Sequence, residues 1–201
     1  MLARLEARGF ETQTERITPA FNSAERTADL LDVIDAADLV VLSVPVYVDS
    51  LPAPVTGLLE AWATAVADGR MSPRPRRLAV LAQCCFPEAH HCDVAIEACR
   101  TFAQRTRVGW AGALAFGMGG AIEGRPPERS LLSRRIRHLD GAAEALASDR
   151  PIPPEATTAF ARPLVPPRAY PLFGRFMWAS QARTRGCTEP LTLRRYEQEG
   201  Q

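Results

Sequence analysis

The sequence predicts an α/β fold in which helices cover both faces of a parallel sheet. Segments with helical spacing of apolar residues alternate with short apolar runs along residues 1–147. Two of these runs, Leu39–Leu42 and Leu78–Leu81, are apolar at every position. Continuous apolar runs of this length are typical of parallel strands that are buried on both faces. We therefore expect parallel strands that are joined by helical crossovers.

The strand predicted over Asp38–Val44 ends in a loop with a proline and a tyrosine. Pro45 has no N–H to donate to a neighbouring strand, so it is expected to end the strand. Tyr47 then lies just past the carboxyl end, which is the edge where open α/β sheets bind their ligands. This loop is therefore the first candidate for part of a binding site.

Five helices are predicted from apolar residues at i, i+3, i+4 and i+7 spacing. They cover Met1–Arg8, Asn22–Ala37 with Ser23 as a candidate cap, Leu51–Asp68, Glu88–Arg107 and Glu128–Ala147. The stripe expected to face inward in the clearest of them is Val55, Leu58, Leu59, Trp62 and Val66. In Glu88–Arg107 the expected inward residues are Val94, Ala98, Cys99 and Phe102.

Further strands are predicted over Phe10–Ile17, Arg77–Gln83 and Gly109–Gly117. After Asp149 the composition changes, because seven prolines fall between residues 151 and 171. This density predicts an extended segment without regular structure. A short apolar helix is expected beyond it, with Phe173, Phe176, Met177 and Trp178. We therefore predict a domain over residues 1–150 and a C-terminal extension over 151–201.

Composition limits the classes of function. The chain has 201 residues and a net charge of +1, which argues against a nucleic-acid or membrane surface as partner. All 24 basic residues are arginines, so no lysine can form a Schiff base or a P-loop. The five cysteines are odd in number and four of them lie within residues 84–99, which favours reduced thiols. Without a signal-peptide core or a long apolar run, a cytoplasmic location is expected.

Four segments carry a resemblance to a known family: 37–47 (ADLVVLSVPVY), 51–55 (LPAPV), 85–91 (CFPEAHH) and 117–122 (GMGGAI). With the strand and helix alternation, they resemble the flavodoxin-like family, and most closely its NAD(P)H-dependent, FMN-binding oxidoreductase branch. The resemblance implies a three-layer fold with sheet order 2-1-3-4-5. It also implies that FMN is bound at the carboxyl ends of the strands.

The resemblance places the flavin ring between the loops after the third and fourth strands, near the glycine loop. The cofactor-binding residues that it implies are Pro45, Val46, Tyr47, Gln83, Cys84, Cys85, Phe86, Glu88, Gly117 and Gly119. NAD(P)H would be the co-substrate, and a quinone or similar small molecule would accept the electrons. No side chain is required as an acid or base, because the cofactor supplies the reactivity. A homo-oligomer, dimer or tetramer, is also expected.

The sequence departs from the family at its N-terminus. The family holds the FMN phosphate in a Ser/Thr-rich loop between its first strand and first helix, whereas Met1 already falls in a predicted helix. We therefore expect strand 1 of the sheet and the phosphate loop to be missing. Either the native protein is longer, or this chain holds FMN weakly. The second hypothesis for function is accordingly a flavodoxin-like remnant that no longer binds FMN and serves as a protein-binding module.

A cluster of thiols and imidazoles raises a third and more distant hypothesis, a metal-dependent sensor. Its members are Cys84, Cys85, His90, His91 and Cys92. Their chemistry suits zinc, but their spacing matches no structural zinc pattern, so no metal is expected. Glu88 is expected to favour a helix N-terminus rather than to act as a general acid.

Three other motifs have ordinary structural interpretations. The loop Gly117–Gly120 lacks the glycine spacing of a dinucleotide fingerprint, so a flexible loop is expected. The run of Arg134, Arg135 and Arg137 is expected to be a solvated helix face. The apolar stripe around Trp178 is expected to lie in the core or in a subunit interface.

Overall fold

A computed structural model of the chain describes residues 1–17, 23–121 and 132–187. Its centre is a parallel sheet of β1 (Leu39–Pro45), β2 (Arg77–Gln83) and β3 (Gly109–Phe116), in the order β1-β2-β3. Helices flank both faces of this sheet, so the predicted α/β class is confirmed. The bounds of β2 are those predicted from the sequence. Those of β1 differ by one residue at each end, and β3 ends one residue earlier than predicted.

Seven α-helices are described: α1 (Leu2–Glu6), α2 (Ala24–Ala36), α3 (Ala53–Ala67), α4 (Asp93–Thr106), α5 (Ile136–Ala147), α6 (Pro154–Ala161) and α7 (Tyr170–Thr184). Ser23 caps α2 as predicted, since its hydroxyl accepts a hydrogen bond from the Arg26 N–H at 3.1 Å. The predicted start of the fifth helix, residues 128–131, lies outside the described residues. None of the helices in the described ranges has the length and apolarity needed to cross a bilayer.

The two faces of the sheet carry separate apolar cores. Successive side chains of a strand point to opposite faces, so Val80 of β2 joins a cluster with α2, α3 and α4. Its neighbour Ala79 joins a second cluster with α5 and α6 on the other face. Both residues are completely buried. The central strand is therefore the part of the sheet that matches the prediction of burial on both faces.

The prediction of a strand over residues 10–17 is wrong. This segment has no regular structure, although its β-branched residues Thr12 and Thr14 alternate with other polar residues. A strand forms only where a neighbour completes its hydrogen-bond ladder. In the described part of the chain, β1 pairs only with β2, and residues 10–17 pair with no strand.

The inward face of α4 also differs from the prediction. Val94 is 64% exposed and Ala98 is exposed as well. Cys99 and Phe102 are buried as predicted, but the buried stripe is Ala95, Cys99, Phe102 and Ala103. They follow i, i+4, i+7 and i+8 spacing, which is an equally valid helical stripe. Two of these positions carry the small side chain of alanine. The prediction chose the more hydrophobic Val94 and so placed the buried face one residue away from its actual position.

The proline-rich segment contains a helix that was not predicted. Pro154 occupies the first position of α6, where a missing N–H costs nothing and a fixed φ favours the helix. Arg135, which was expected on a solvated face, is only 9% exposed. Its guanidinium donates to the carbonyls of Phe160, at 2.8 Å, and of Arg162. The arginine therefore connects the start of α5 to the end of α6.

The chain divides into two compact units, Met1–Leu164 and Val165–Gln201. The predicted division near residue 150 stays a prediction. In the second unit α7 includes the predicted apolar helix but is longer. It exposes Leu172, Phe176 and Trp178, so Trp178 does not belong to a core of the described residues.

Candidate functional site

The carboxyl ends of β1 and β2 are held together by backbone hydrogen bonds. The Val46 N–H donates to the Gln83 carbonyl at 2.7 Å, which continues the parallel ladder past Pro45. Val46 is buried, whereas the next residue, Tyr47, is 61% exposed. The ladder therefore extends to the point where Tyr47 leaves the sheet.

A tight turn then positions Tyr47. The N–H of Tyr47 donates to the Ser50 carbonyl at 3.2 Å, and the Ser50 N–H donates back at 3.1 Å. The two residues between them, Val48 and Asp49, have φ of 51° and 55°, which matches a type I′ turn. A positive φ is unusual for a β-branched residue, and Val48 is 99% exposed. Backbone strain of this kind concentrates at functional sites.

The glycine loop after β3 packs against the loop after β2. The Met118 N–H donates to the Phe86 carbonyl at 2.9 Å, and the Gly119 N–H donates to the Cys84 carbonyl at 3.0 Å. A Cβ on Gly117 would lie 2.3 Å from the Phe86 oxygen, which is too close for any side chain. Glycine is therefore required at position 117 by the approach of two backbones, and the loop is held by these contacts.

A column of three rings stands on the loop after β2. The ring centroids of Phe86 and His91 are 4.7 Å apart, and those of His91 and His90 are 4.4 Å apart. The Nδ1 of His91 lies 3.1 Å from a carboxylate oxygen of Asp49, in the turn after Tyr47. This contact joins the loops that follow β1 and β2. In the sequence, His91 stands out only as a member of the thiol and imidazole cluster, and no local signal pairs it with Asp49, which lies 42 residues away.

The structure brings the predicted binding residues to one end of the sheet but exposes them to different degrees. Tyr47, Cys85 and Phe86 are exposed. The side chains of Val46 and Cys84 are buried, so only their backbone is available to a bound molecule. The remaining members, apart from the buried Gly117, are half-buried: Pro45, Gln83, Glu88 and Gly119. The exposed side chains of this set are therefore two aromatic rings and one thiol.

Cys84 has an unusual electrostatic environment. A hydrogen bond from the Cys92 thiol lowers the pKa of Cys84 to about 7, although burial opposes this shift. The positive charge of a protonated His91 acts in the same direction as the hydrogen bond. The same thiol contact and burial raise the pKa of Cys92. The two sulfurs are therefore chemically unequal.

The other chemical groups in the region do not form a metal centre. Within residues 1–17, 23–121 and 132–187, no three His, Cys, Asp or Glu side chains are placed to hold an ion. Glu88 directly precedes the short 3₁₀ helix Ala89–Cys92, close to the helical start expected for it.

An open groove of about 600 Å³ lies to one side of these loops. Its lining includes Glu88, Arg100 and Trp110, with small residues of β3 and side chains of α6. Glu88 is the member that it shares with the predicted binding residues. The groove is therefore a separate feature from the exposed rings, and most of the predicted binding residues do not line it.

The sheet and its flanking helices are consistent with a flavodoxin-like fold, and solved structures share it. One is a Trp repressor binding protein from Bacillus subtilis, with 14% identity and a TM-score of 0.51 over 72% of this chain and 86% of that one. Another is the apo form of an NADH:FMN oxidoreductase, with 13% identity and a TM-score of 0.51 over 82% and 84%. At these identities the similarity concerns the fold alone. No protein-family model and no curated protein matches the sequence.

Proposed function

We propose that this chain is an FMN-dependent oxidoreductase, which passes hydride from NAD(P)H through the flavin to a quinone or a similar small acceptor. The observation that carries the proposal is the pair of exposed rings, Tyr47 and Phe86, at the carboxyl end of a parallel sheet. This is the end where open α/β sheets bind ligands. The flavodoxin-like fold of the NADH:FMN oxidoreductase named above supports the same class of cofactor.

The residues present fit the flat part of FMN. Tyr47 and Phe86 offer apolar ring faces, and aromatic contacts of this kind contribute about 0.5–1.5 kcal/mol beyond the area they bury. The close backbone approach at Gly117 leaves no side chain between the two loops. Bound FMN would supply the hydride chemistry, while these residues would orient the ring and exclude water from one side.

Titration of the purified full chain with FMN tests the proposal. Quenching of flavin fluorescence should report saturable binding, and the loaded protein should consume NADPH only when a quinone is present. Tyr47→Ala and Phe86→Ala should each weaken FMN binding about tenfold, the equivalent of about 1.4 kcal/mol. Phe176→Ala is the matched control, because it removes an exposed phenyl ring from α7.

The alternative is a protein-binding module without a flavin, and the exposed surface around the turn favours it. Tyr47, Val48 and Phe86 expose 61%, 99% and 53% of their surface, and exposed apolar side chains in one region commonly mark partner sites. A protein that takes up no FMN at any concentration tested would refute the enzyme proposal and leave this alternative. Loss of binding in Phe176→Ala alone would also argue against the strand-end site.

Assembly and location also remain proposals. We propose a homo-oligomer, dimer or tetramer, and a cytoplasmic location. Sedimentation of the purified chain over a range of concentrations measures the assembly directly. A single species with the mass of one chain at all concentrations would contradict the proposed assembly.

A further inference from the structure

The helix α7 holds three large apolar side chains in contact with solvent. Leu172, Phe176 and Trp178 expose 72%, 73% and 66% of their surface. Leu172 and Phe176 are one turn apart, so their side chains are neighbours on the helix. A group of exposed apolar side chains commonly marks a surface that binds a partner. We therefore looked for the partner that the rest of this helix favours.

Exposed arginines lie between these apolar side chains. With about 3.6 residues per turn, about half of the circumference of α7 carries five large side chains: Trp178, Arg175, Leu172, Arg183 and Phe176. The other two positions on this side are the small residues Ala179 and Ala182. Both arginines are exposed, and neither side chain forms an ion pair or a hydrogen bond with the described residues. This side of α7 is therefore both apolar and positively charged.

Positive charge is concentrated in this part of the chain. Residues 165–187 contain four arginines and no aspartate or glutamate. The whole unit Val165–Gln201 has six arginines and three glutamates, whereas residues 1–164 carry a net charge of −2. The net charge of +1 for the entire chain, which argues against a membrane surface as partner, therefore does not describe the surface of α7.

We propose that α7 docks on the surface of a bilayer that contains anionic phospholipids. Leu172, Phe176 and Trp178 enter the boundary between the headgroups and the acyl chains, and the arginines bind the phosphates of the headgroups. Tryptophan favours this boundary, because its ring is apolar and its N–H can still reach water. The helix lies on the bilayer and does not cross it, since 15 residues are too few to span the hydrocarbon core. This surface function is independent of flavin binding.

Other partners match only part of this surface. In a twofold symmetric dimer the same surface of both copies meets itself, so the arginines of one α7 would face those of the other. Residues 165–187 offer no carboxylate to neutralise them. A nucleic acid supplies phosphates, but its backbone gives no apolar environment to Leu172 and Phe176. An anionic bilayer supplies both the negative charge and the apolar layer.

Cosedimentation of the purified full chain with lipid vesicles tests the proposal. The probe vesicles contain phosphatidylglycerol in phosphatidylcholine, at about one part in four, and the reference vesicles contain phosphatidylcholine alone. The chain should bind the anionic vesicles at least about tenfold more tightly than the reference vesicles, since each basic residue near an anionic surface adds to the attraction. High salt should weaken this binding, because it screens the arginines from the headgroups.

Tryptophan fluorescence shows whether α7 makes the contact. Of the three tryptophans, Trp62 is buried and Trp110 is half-buried, so Trp178 is the exposed one. Addition of anionic vesicles should shift the emission to shorter wavelength and should protect it from quenching by acrylamide. Trp178→Phe keeps an aromatic ring at this position, so it should bind the vesicles with little loss but without the spectral shift.

Substitutions in α7 separate the apolar and the electrostatic contributions. Leu172→Ser and Phe176→Ser should each weaken binding to the anionic vesicles about tenfold, because less apolar surface enters the bilayer. Arg175→Gln and Arg183→Gln should each weaken it about fivefold and should reduce its dependence on salt.

Matched controls lie on α4, in the other compact unit. Val94 is 64% exposed and Arg105 is exposed as well. Val94→Ser and Arg105→Gln should therefore bind the anionic vesicles like the unsubstituted chain. Losses equal to those of the α7 variants would show that binding does not depend on α7, and would overturn the proposal.

Three further results would also overturn it. The first is an unsubstituted chain that binds neither vesicle, or binds both equally. The second is a dimer that Phe176→Ser disrupts in a chain that binds no vesicles, which would place a second copy on α7. The third is binding to a DNA duplex without binding to vesicles, which would assign the arginines to a nucleic acid. The first measurement needs no variant, and circular dichroism of each variant separates folding defects from lost binding.

Discussion

β1 and β3 form the two edges of one sheet, but among the described residues only the β3 edge is covered by another segment. The edge at β3 is covered by the segment around α6. The edge at β1 meets no further strand among the described residues. Both strands pair with β2 in parallel, but only the pairing of β3 contains a register shift. The two edges therefore present different backbone geometries to the rest of the chain.

The β3 edge is adapted to receive a neighbour. Its register with β2 shifts beside Leu78 and Ala79, and Gly112 adopts φ +105° at this irregularity. The Ala111 carbonyl then accepts the Ile152 N–H at 2.8 Å. Further along the strand, the Ala113 carbonyl accepts the Thr157 hydroxyl at 3.1 Å. Because β3 is irregular and has small residues, the chain after α5 can approach it closely and donate hydrogen bonds to the outer carbonyls of β3.

The β1 edge is regular, and none of the described residues forms a strand beside it. The Asp38 carbonyl and the Val46 N–H bond to β2, so the alternation of the ladder directs the outer groups of Leu39, Val41 and Ser43 away from the sheet. Within residues 1–17, 23–121 and 132–187, no group hydrogen-bonds to them. Ser43 is exposed. An open edge of this kind is a template for pairing with another strand.

The largest effect is expected from Gly112→Val on the covered edge. A Cβ at this position would lie 3.0 Å from the Ile152 Cβ, in a backbone conformation that favours glycine. Backbone strain and overpacking together should lower the free energy of unfolding by about 2–5 kcal/mol. Urea denaturation followed by circular dichroism measures the change.

Gly141→Ala provides the control for this substitution. Gly141 lies inside α5, and a Cβ there would meet nothing within 4 Å. The free energy of unfolding should rise by about 0.5–1 kcal/mol, because alanine favours a helix interior. Equal effects of the two substitutions would show that the close approach at Gly112 does not exist in solution.

An intermediate effect is expected from Arg135→Met, which removes the connection between α5 and α6. The carbonyls of Phe160 and Arg162 would lose a charged donor inside the protein. Stability should fall by about 2–3 kcal/mol, and amide hydrogens of α6 should exchange faster. Arg134→Met alters an exposed neighbour and should change stability by less than about 0.5 kcal/mol. Unchanged exchange in α6 after Arg135→Met would contradict this role.

The smallest effect is expected from Ser43→Lys on the open edge. The side chain at this position is exposed, so stability should change by less than about 0.5 kcal/mol. The added charge should also reduce any self-association through the β1 edge, which light scattering can follow. Ala113→Lys, on the covered edge, should cost more because Ala113 is half-buried beside α6. If Ser43→Lys and Ala113→Lys lower the free energy of unfolding equally, another segment or a second molecule also covers the β1 edge.

Local patterns predicted much of the fold because they act over a few residues. The stripe of α3, the Ser23 cap and the bounds of β2 each depend on neighbours within one or two turns. In the candidate site, Tyr47 was predicted from its position after a strand end, whereas Phe86 was included only because of the family resemblance. The prediction failed at Phe10–Ile17, where alternation was present but a pairing partner was not.

The sequence alone thus determined the α/β class, the order of the principal elements and the end of the sheet where a ligand is expected. Only the tertiary structure decided which sheet edge is covered, why Arg135 is buried, and that Asp49 meets His91. The physical reason is that these features join segments whose separation along the chain carries no local periodicity. Hydrophobic spacing specifies a face of an element, and packing specifies what that face meets.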